Sequence, residues 1–285
     1  MTISTKQTLN RGGTVIAKIL LNIFFIALSV FSIYPVIWMI YSSLKTDSEF
    51  FNDVISLPAN PQFQNYPKAI ARGKIDVYFQ NSIYVSVICV ILIVFLSFIV
   101  AYFINRFRFR GRRFLFFLFM AGMMIPIHGF LVPLYIQFSK LGLTNHWFTL
   151  LLPLTAFNMP LSLILFENFM KSVPMEIEES ALIDGATLGQ RILYIVFPMC
   201  LPILATLLIL NFLYTWNEYP FALTLITSDH LKTLPLGISN FKGERSTDYP
   251  QMFAALTLVS LPVIAIYSIF SNKIMQGMTA GAIKG

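Results

Sequence analysis

Charge is what this sequence has least of. Only 12% of its 285 residues are Asp, Glu, Lys or Arg, about half the roughly 25% usual in soluble domains, which argues against a soluble protein. Cysteine is nearly absent as well. Cys89 and Cys200 both fall inside apolar runs, so there is neither a disulfide framework nor a cysteine-rich zinc site. His128, His146 and His230 are too dispersed for a metal cluster. No Gly is followed by Lys-Ser or Lys-Thr, so the Walker A phosphate loop is missing, and no HExxH, GxSxG or CxxC occurs. The chain is therefore expected not to be an enzyme: no catalytic residue, metal ligand or cofactor is assigned to it. Repeats of 20 to 50 residues and low-complexity tracts are also lacking.

What the sequence has instead is apolar length. Hydrophobic residues make up 56% of it, Phe alone contributing 28 positions, and its mean hydropathy is +0.72. Six runs are long enough to cross a ~30 Å hydrocarbon core: about 15–43, 82–104, 114–138, 148–166, 199–221 and 252–271. The first follows Lys6, Arg11 and Lys18 as the apolar region of a signal peptide would, but it is longer and lacks a small-x-small cleavage site. It is expected to stay as an uncleaved span. The predicted fold class is all-α, a polytopic membrane protein with a six-helix transmembrane domain over 15–271 between an N-tail (1–14) and a C-tail (272–285).

The net charge of +7 sits beside the apolar runs and forms no extended basic face, so it sets topology and does not point to nucleic acid. Asn105–Arg113 carries five arginines in nine residues. By the positive-inside rule that loop is cytoplasmic, and with six spans both termini and the loop after the fourth run share its side. Lys45–Asn81 balances four basic with four acidic residues and Thr224–Gln251 three with three; these are the expected outer loops. Proline punctuates nearly every span (Pro35, Pro126, Pro133, Pro153, Pro160, Pro202, Pro262). Membrane helices tolerate the resulting kinks because neighbouring groups satisfy the freed carbonyls.

The most informative stretch is the polar loop 171–198. Pro174 suits a first helical turn, and Met175, Ile177, Ala181 and Leu182 lie among Glu176, Glu178, Glu179 and Asp184, predicting a short amphipathic helix. Gly185 offers a stop, and Thr187–Ile195 begins a second short helix that Pro198 separates from the fifth span. Such a helix-turn-helix is either an ordinary solvated loop or an acidic knob for a partner's Arg and Lys.

The pattern Glu179-Ser180-Ala181, then Asp184-Gly185-Ala186, with Pro198 and Pro202 following, resembles the EAA loop of membrane subunits of binding-protein-dependent ABC importers. Ser180 stands where that family usually has Ala, and Phe197 where Leu is usual. Thr215-Trp216-Asn217-Glu218-Tyr219-Pro220 and the tail Gly277–Gly285 resemble the sugar-importing branch, in particular the second permease subunit of the maltose type. The resemblance implies the type I importer permease fold and a coupling helix seated in a cleft of an ATPase subunit. It assigns ATPase coupling to Glu178, Glu179, Ala181, Asp184, Gly185 and Ala186. It further implies a homologous second permease, two ATPase subunits that bind the ATP and Mg, an extracytoplasmic sugar-binding protein, a di- or oligosaccharide substrate, and a bacterial-type cytoplasmic membrane. The alternative is a stand-alone secondary carrier or channel, although six spans are few for a monomeric carrier of two repeated halves. A structural or scaffold subunit is the third reading.

At 1.5 Å per residue, the segment from Cys200 to Asn217 puts Trp216, Asn217 and Glu218 near the outer end of the fifth span. A carboxylate there is expensive unless it meets water or a partner, and Trp216 beside Asn217 offers an aromatic plane and a bidentate amide suited to a sugar. Helix packing or docking of an external protein is the competing use. Gln137, Asn158 and Asn211 are the further candidates for lining a pathway, against interhelical hydrogen bonding as the commoner role.

Overall fold

The computed structural model describes residues 4–241 and 248–280, with side chains over 17–241 and 248–270. The end of the expected C-tail, with Gly281 and Gly285, lies outside the described residues, as does part of the second outer loop. All regular elements among the described residues are helical. The chain divides into two compact units, Met1–Ala69 with Phe241–Thr257, and Ile70–Asn240 with Leu258–Gly285.

The first unit holds α1 (Ser4–Ser42), α2 (Asp47–Asn52), the start of α3 (Asn65–Gly73) and the first turns of α14 (Tyr249–Ala280). Helix α1 begins well before the expected boundary at residue 15, and its apolar side chains from Ile19 to Ile40 are largely exposed. Ser29 and Ser32 donate to the carbonyls of Phe25 and Leu28, which hides their hydroxyls from an apolar surrounding. Below α1 the chain is stapled by Lys45, fully buried, whose Nζ donates to the carbonyls of Asp53 (2.7 Å) and Val54 (3.3 Å). Asn65 donates to the carbonyls of Ser43 and Lys45, both at 2.8 Å. Trp38, Phe50, Tyr249 and Phe253 complete this unit's aromatic cluster.

In the second unit the centre is α4 (Ile75–Arg106), 32 residues without Pro or Gly. Its buried positions recur at three- and four-residue steps, from Tyr78 through Ser82, Val85, Cys89 and Ile93 to Ser97 and Ala101, the stripe expected of a helix surrounded on one side. Small residues on that stripe let α7 (Leu151–Met170) approach closely, and Ser97 donates to Met159 O across the gap (3.2 Å). One core cluster joins Val85, Cys89 and Ile93 to Leu134, Leu150, Leu154 and Phe221. A second joins Phe98, Ala101 and Tyr102 to Phe166, Met170, Val196 and Leu207.

Two expected spans are broken. The third is α5 (Arg112–Gly122) followed by α6 (Ile127–Lys140), bent by 99°. Pro126 is the cause: it has no N–H, takes φ −70°, ψ 113° at the α6 N-cap, and disfavours helix at the residue before it. The fifth, expected over 199–221, opens on a 76° bend at Cys200, where the segment Leu188–Met199 passes into α11 (Leu201–Trp216) with Pro202 in its first turn; Pro198, expected to separate the loop from the span, lies inside the helical segment before the bend. A π-helical turn, Arg191–Val196, precedes the bend. Among the described residues, three helices are long and apolar enough to cross a membrane (windows Ala17–Ser42, Ile75–Arg106 and Tyr249–Phe270), or up to five with each bent pair as one span. Helix α7, 20 residues and about 30 Å long, carries Asn158 and Glu167 and corresponds to the fourth expected run.

Candidate functional site

The loop after α7 folds as the sequence predicts in outline. Pro174 is the N-cap of α8 (Met175–Ile183). Its C-terminus closes in a Schellman turn: Ala186 N–H donates to Ala181 O (2.9 Å) and Gly185 N–H to Leu182 O (3.1 Å), with Gly185 at φ +84°. Thr187 and Gln190 then form a capping box that starts α9 (Leu188–Gln190). Local signals therefore account for both helix ends.

The site's polar residues divide between two faces. Glu178 is 3% exposed. Its carboxylate meets Arg106 Nε at 2.5 Å and accepts from Tyr102 Oη at 2.9 Å. Arg106 also donates to Val173 O (3.1 Å). The last turns of α4 thus grip α8 at its first turn and at the residue before Pro174. Glu179, Asp184 and Gly185 are exposed, while Ala181 and Ala186 are half-buried. Beside the exposed acids stand apolar side chains: Met175, Ile177, Leu182 and, 87% exposed, Ile183. The outward face is therefore an apolar tip edged with carboxylates, where composition alone suggested an acidic knob. Tyr102 and Arg106 escaped the sequence reading because Arg106 was counted only as one of five topology-setting arginines. A burial period linking Glu178 to α4 was not visible in a nine-residue helix.

The candidates near the other end of α11 are mostly taken up by structure. Trp216 is 1% exposed, stacked on Phe212 at 5.4 Å and edge-on to Phe79 at 5.6 Å, so its ring faces are not open as a platform. Asn217, exposed, donates to Leu213 O (2.8 Å) at the α11 C-cap. The Glu218 carboxylate accepts from the backbone N–H groups of Phe221 and Ala222 (3.1 Å for the latter) and caps α12 (Pro220–Leu225). Asn211 is buried and donates to Ser162 Oγ (2.9 Å), tying α11 to α7. Asn158 bonds its own helix at Leu154 O (2.8 Å), and Gln137 lies exposed on α6. No hydrogen bond joins these candidates to one another among the described residues.

The segment after α12 is tied to the start of α4. Asp229 accepts from Lys74 (2.5 Å), Tyr78 (2.7 Å) and Lys232 (3.1 Å), and these donors, Lys74 first, hold its carboxyl well below the usual carboxylate range. A depressed folded-state value stabilises the fold above the unfolded value near 3.8 and is lost as pH falls through the folded one. Protection of the amides over residues 227–240, taken relative to the intrinsic exchange rate at each pH, is thus expected to be the same at pH 7 and pH 5. Asp229→Asn should lower it at both, and the two proteins should converge only in strong acid.

A model of the family described as "binding-protein-dependent transport system inner membrane component" matches residues 93–279. The permease protein of a diacetylchitobiose uptake system from Streptomyces coelicolor is 33% identical over 258 residues, covering 90% of this chain and 85% of its own. That of a trehalose transport system from Mycobacterium tuberculosis is 32% identical over 260 residues, covering 90% and 93%. In fold, the chain is similar to a subunit of a bacterial ABC transporter that imports the polysaccharide alginate, with a TM-score of 0.79 at 23% identity, over 92% of this chain and 96% of that one. The all-helical, multi-pass architecture and the matched sequence agree: this chain belongs to the family of binding-protein-dependent transport system inner membrane components.

Proposed function

We propose that this chain is the permease subunit of an ATP-driven importer of a di- or oligosaccharide, working by alternating access beside a homologous second permease. Two separate ATPase subunits supply the hydrolysis, an extracytoplasmic sugar-binding protein delivers the substrate, and both termini are cytoplasmic. The sugar class rests on the relatives named for diacetylchitobiose and trehalose. The observation that carries the coupling role is the α8 element: an apolar tip presented outward and a buried Glu178–Arg106–Tyr102 contact behind it.

That arrangement suits a push rod. Met175, Leu182 and Ile183 fill an apolar cleft, and Glu179 and Asp184 meet basic residues at its rim. Because Glu178 is pinned to the end of α4, a displacement of α8 is passed to a 32-residue helix and to α7 packed along it. The ATPase pair needs only to hold the cleft differently in its two nucleotide states for the spans to change population. Trp216, Asn217 and Glu218 then shape the outer end of the pathway or its docking surface by fixing the α11–α12 corner.

The test is purification of the tagged chain from gently solubilised membranes, with mass spectrometry and an ATPase assay on the eluate. A second six-span permease, a Walker-motif ATPase and hydrolysis are expected; recovery of the chain alone would sustain the carrier reading. Gly185→Leu sharpens it. Cβ at Gly185 meets nothing within 4 Å, so the direct penalty is the left-handed backbone, about 1–2 kcal/mol. Gly185→Leu is expected to keep ATP hydrolysis and lower sugar uptake at least several-fold, whereas Gly185→Asn, tolerant of that backbone, retains most uptake. Normal uptake by the Leu variant would remove the coupling role.

A further inference from the structure

The loop between α4 and α5 contains a feature that coupling does not use. Arg108, Arg110, Arg112 and Arg113, with Gly111, line an open concavity of about 660 Å³. The fifth arginine of the segment, Arg106, is taken by Glu178. The other four have no carboxylate partner among the described residues. Gly111 is the N-cap of the 11-residue α5 and provides no side-chain acceptor for its first turn, so the positive end of that helix opens onto the same concavity. Phe109 (44% exposed) and Phe114 (71%) project among the guanidiniums. The loop also lies directly at the end of α4, a helix long and apolar enough to cross a membrane.

Four guanidiniums without a carboxylate partner among the described residues and a helix N-terminus without a side-chain cap ask for a phosphate, and exposed phenyl rings at the end of a membrane span ask for acyl chains beside it. From this juxtaposition we infer that the Arg108–Arg113 cradle is a binding site for the phosphate headgroup of an anionic phospholipid. The ligand is held at the same end of the helices as α8, close in sequence to the Arg106 that grips Glu178. The inference stands on the loop's own residues and does not depend on which substrate is carried.

The experiment is a lipid titration of the full chain, purified with whatever subunits accompany it, read by native mass spectrometry in detergent. Phosphatidylglycerol is compared with phosphatidylcholine, with and without inorganic phosphate as competitor. The unmodified chain is expected to retain phosphatidylglycerol on the order of 10-fold better than phosphatidylcholine, and retention should fall as salt rises. Replacing the four arginines by Gln should abolish the preference. Replacement by Lys should weaken it several-fold, since Lys cannot offer the bidentate fork. Equal retention of the two lipids by the unmodified chain overturns the proposal whether or not any variant folds. A Lys variant as selective as the Arg protein also overturns it, leaving only diffuse surface charge, as does a preference that millimolar inorganic phosphate removes, which assigns the cradle to the free ion.

Discussion

Arg106→Ala is expected to destabilise the α8 loop by about 3 kcal/mol, the lower end of the range for removing one partner of a buried ion pair. The reason is what stays behind. Glu178 is shut in, its side chain 5% exposed, and without the guanidinium the donor left to it among the described residues is Tyr102 Oη. Loss of Arg106 also frees the Val173 carbonyl. Limited proteolysis of 171–198 should accelerate, and in the assembled transporter sugar uptake should fall more than ATP hydrolysis, since a docked helix that pivots at its base transmits little. Glu178→Gln, which keeps volume and an acceptor for Tyr102, should cost less. The double variant Arg106→Ala with Glu178→Gln should recover part of the loss, because the penalty is a stranded charge more than a missing attraction. An Arg106→Ala protein with unchanged protease sensitivity and uptake would show that the grip carries no load.

This grip marks where reading the chain stops and three-dimensional structure takes over. The ends of α8 were legible because capping is local: Pro174, Gly185 and the Thr187–Gln190 box act within four residues of themselves. The long apolar runs were legible for a similar reason, since α4 meets no helix breaker in 32 residues. The 99° break at Pro126 was half-legible: proline announces a kink, but its size depends on whether neighbours satisfy the freed carbonyls, which is a tertiary matter. Glu178 and Glu179 are adjacent and chemically alike, and nothing local says that one turns inward while the other faces out. Only the meeting with Arg106, far earlier in the chain, decides that. Trp216 shows the same limit from the other side. Its composition suggested an open aromatic plane, whereas the rings of Phe212 and Phe79 already cover it.

Gly237→Ala is expected to be strongly damaging, where the same change at Gly122 or Gly129 brings the new methyl only into ordinary contact. Gly237 ends α13 (Leu234–Gly237), and a Cβ there would come within 2.9 Å of three carbons of the Tyr78 ring, Cγ, Cδ2 and Cε2. That ring cannot swing away. Tyr78 is fully buried, and its hydroxyl is held by Asp229 and Asn240, each at 2.7 Å. The backbone of α13 must move instead, pulling Leu234 N–H from Ser82 Oγ (2.8 Å) and Gly237 N–H from Thr233 O (2.8 Å). Overpacking of a rigid site costs typically 1–3 kcal/mol and sometimes more, and with a backbone shift added the loss should be about 3 kcal/mol or greater. Thermal unfolding in detergent should register it as a Tm lower by several degrees. The effect should largely vanish in a Tyr78→Ala background, where the methyl enters the space the ring has left. Tyr78→Phe, which keeps the ring and loses only the hydroxyl's bonds, should not rescue. A Gly237→Ala protein as stable as the parent would mean that α13 does not sit against α4 as described, and with it would go the account of how Asp229 and its donors hold this segment to the start of the longest unbroken helix of the second unit.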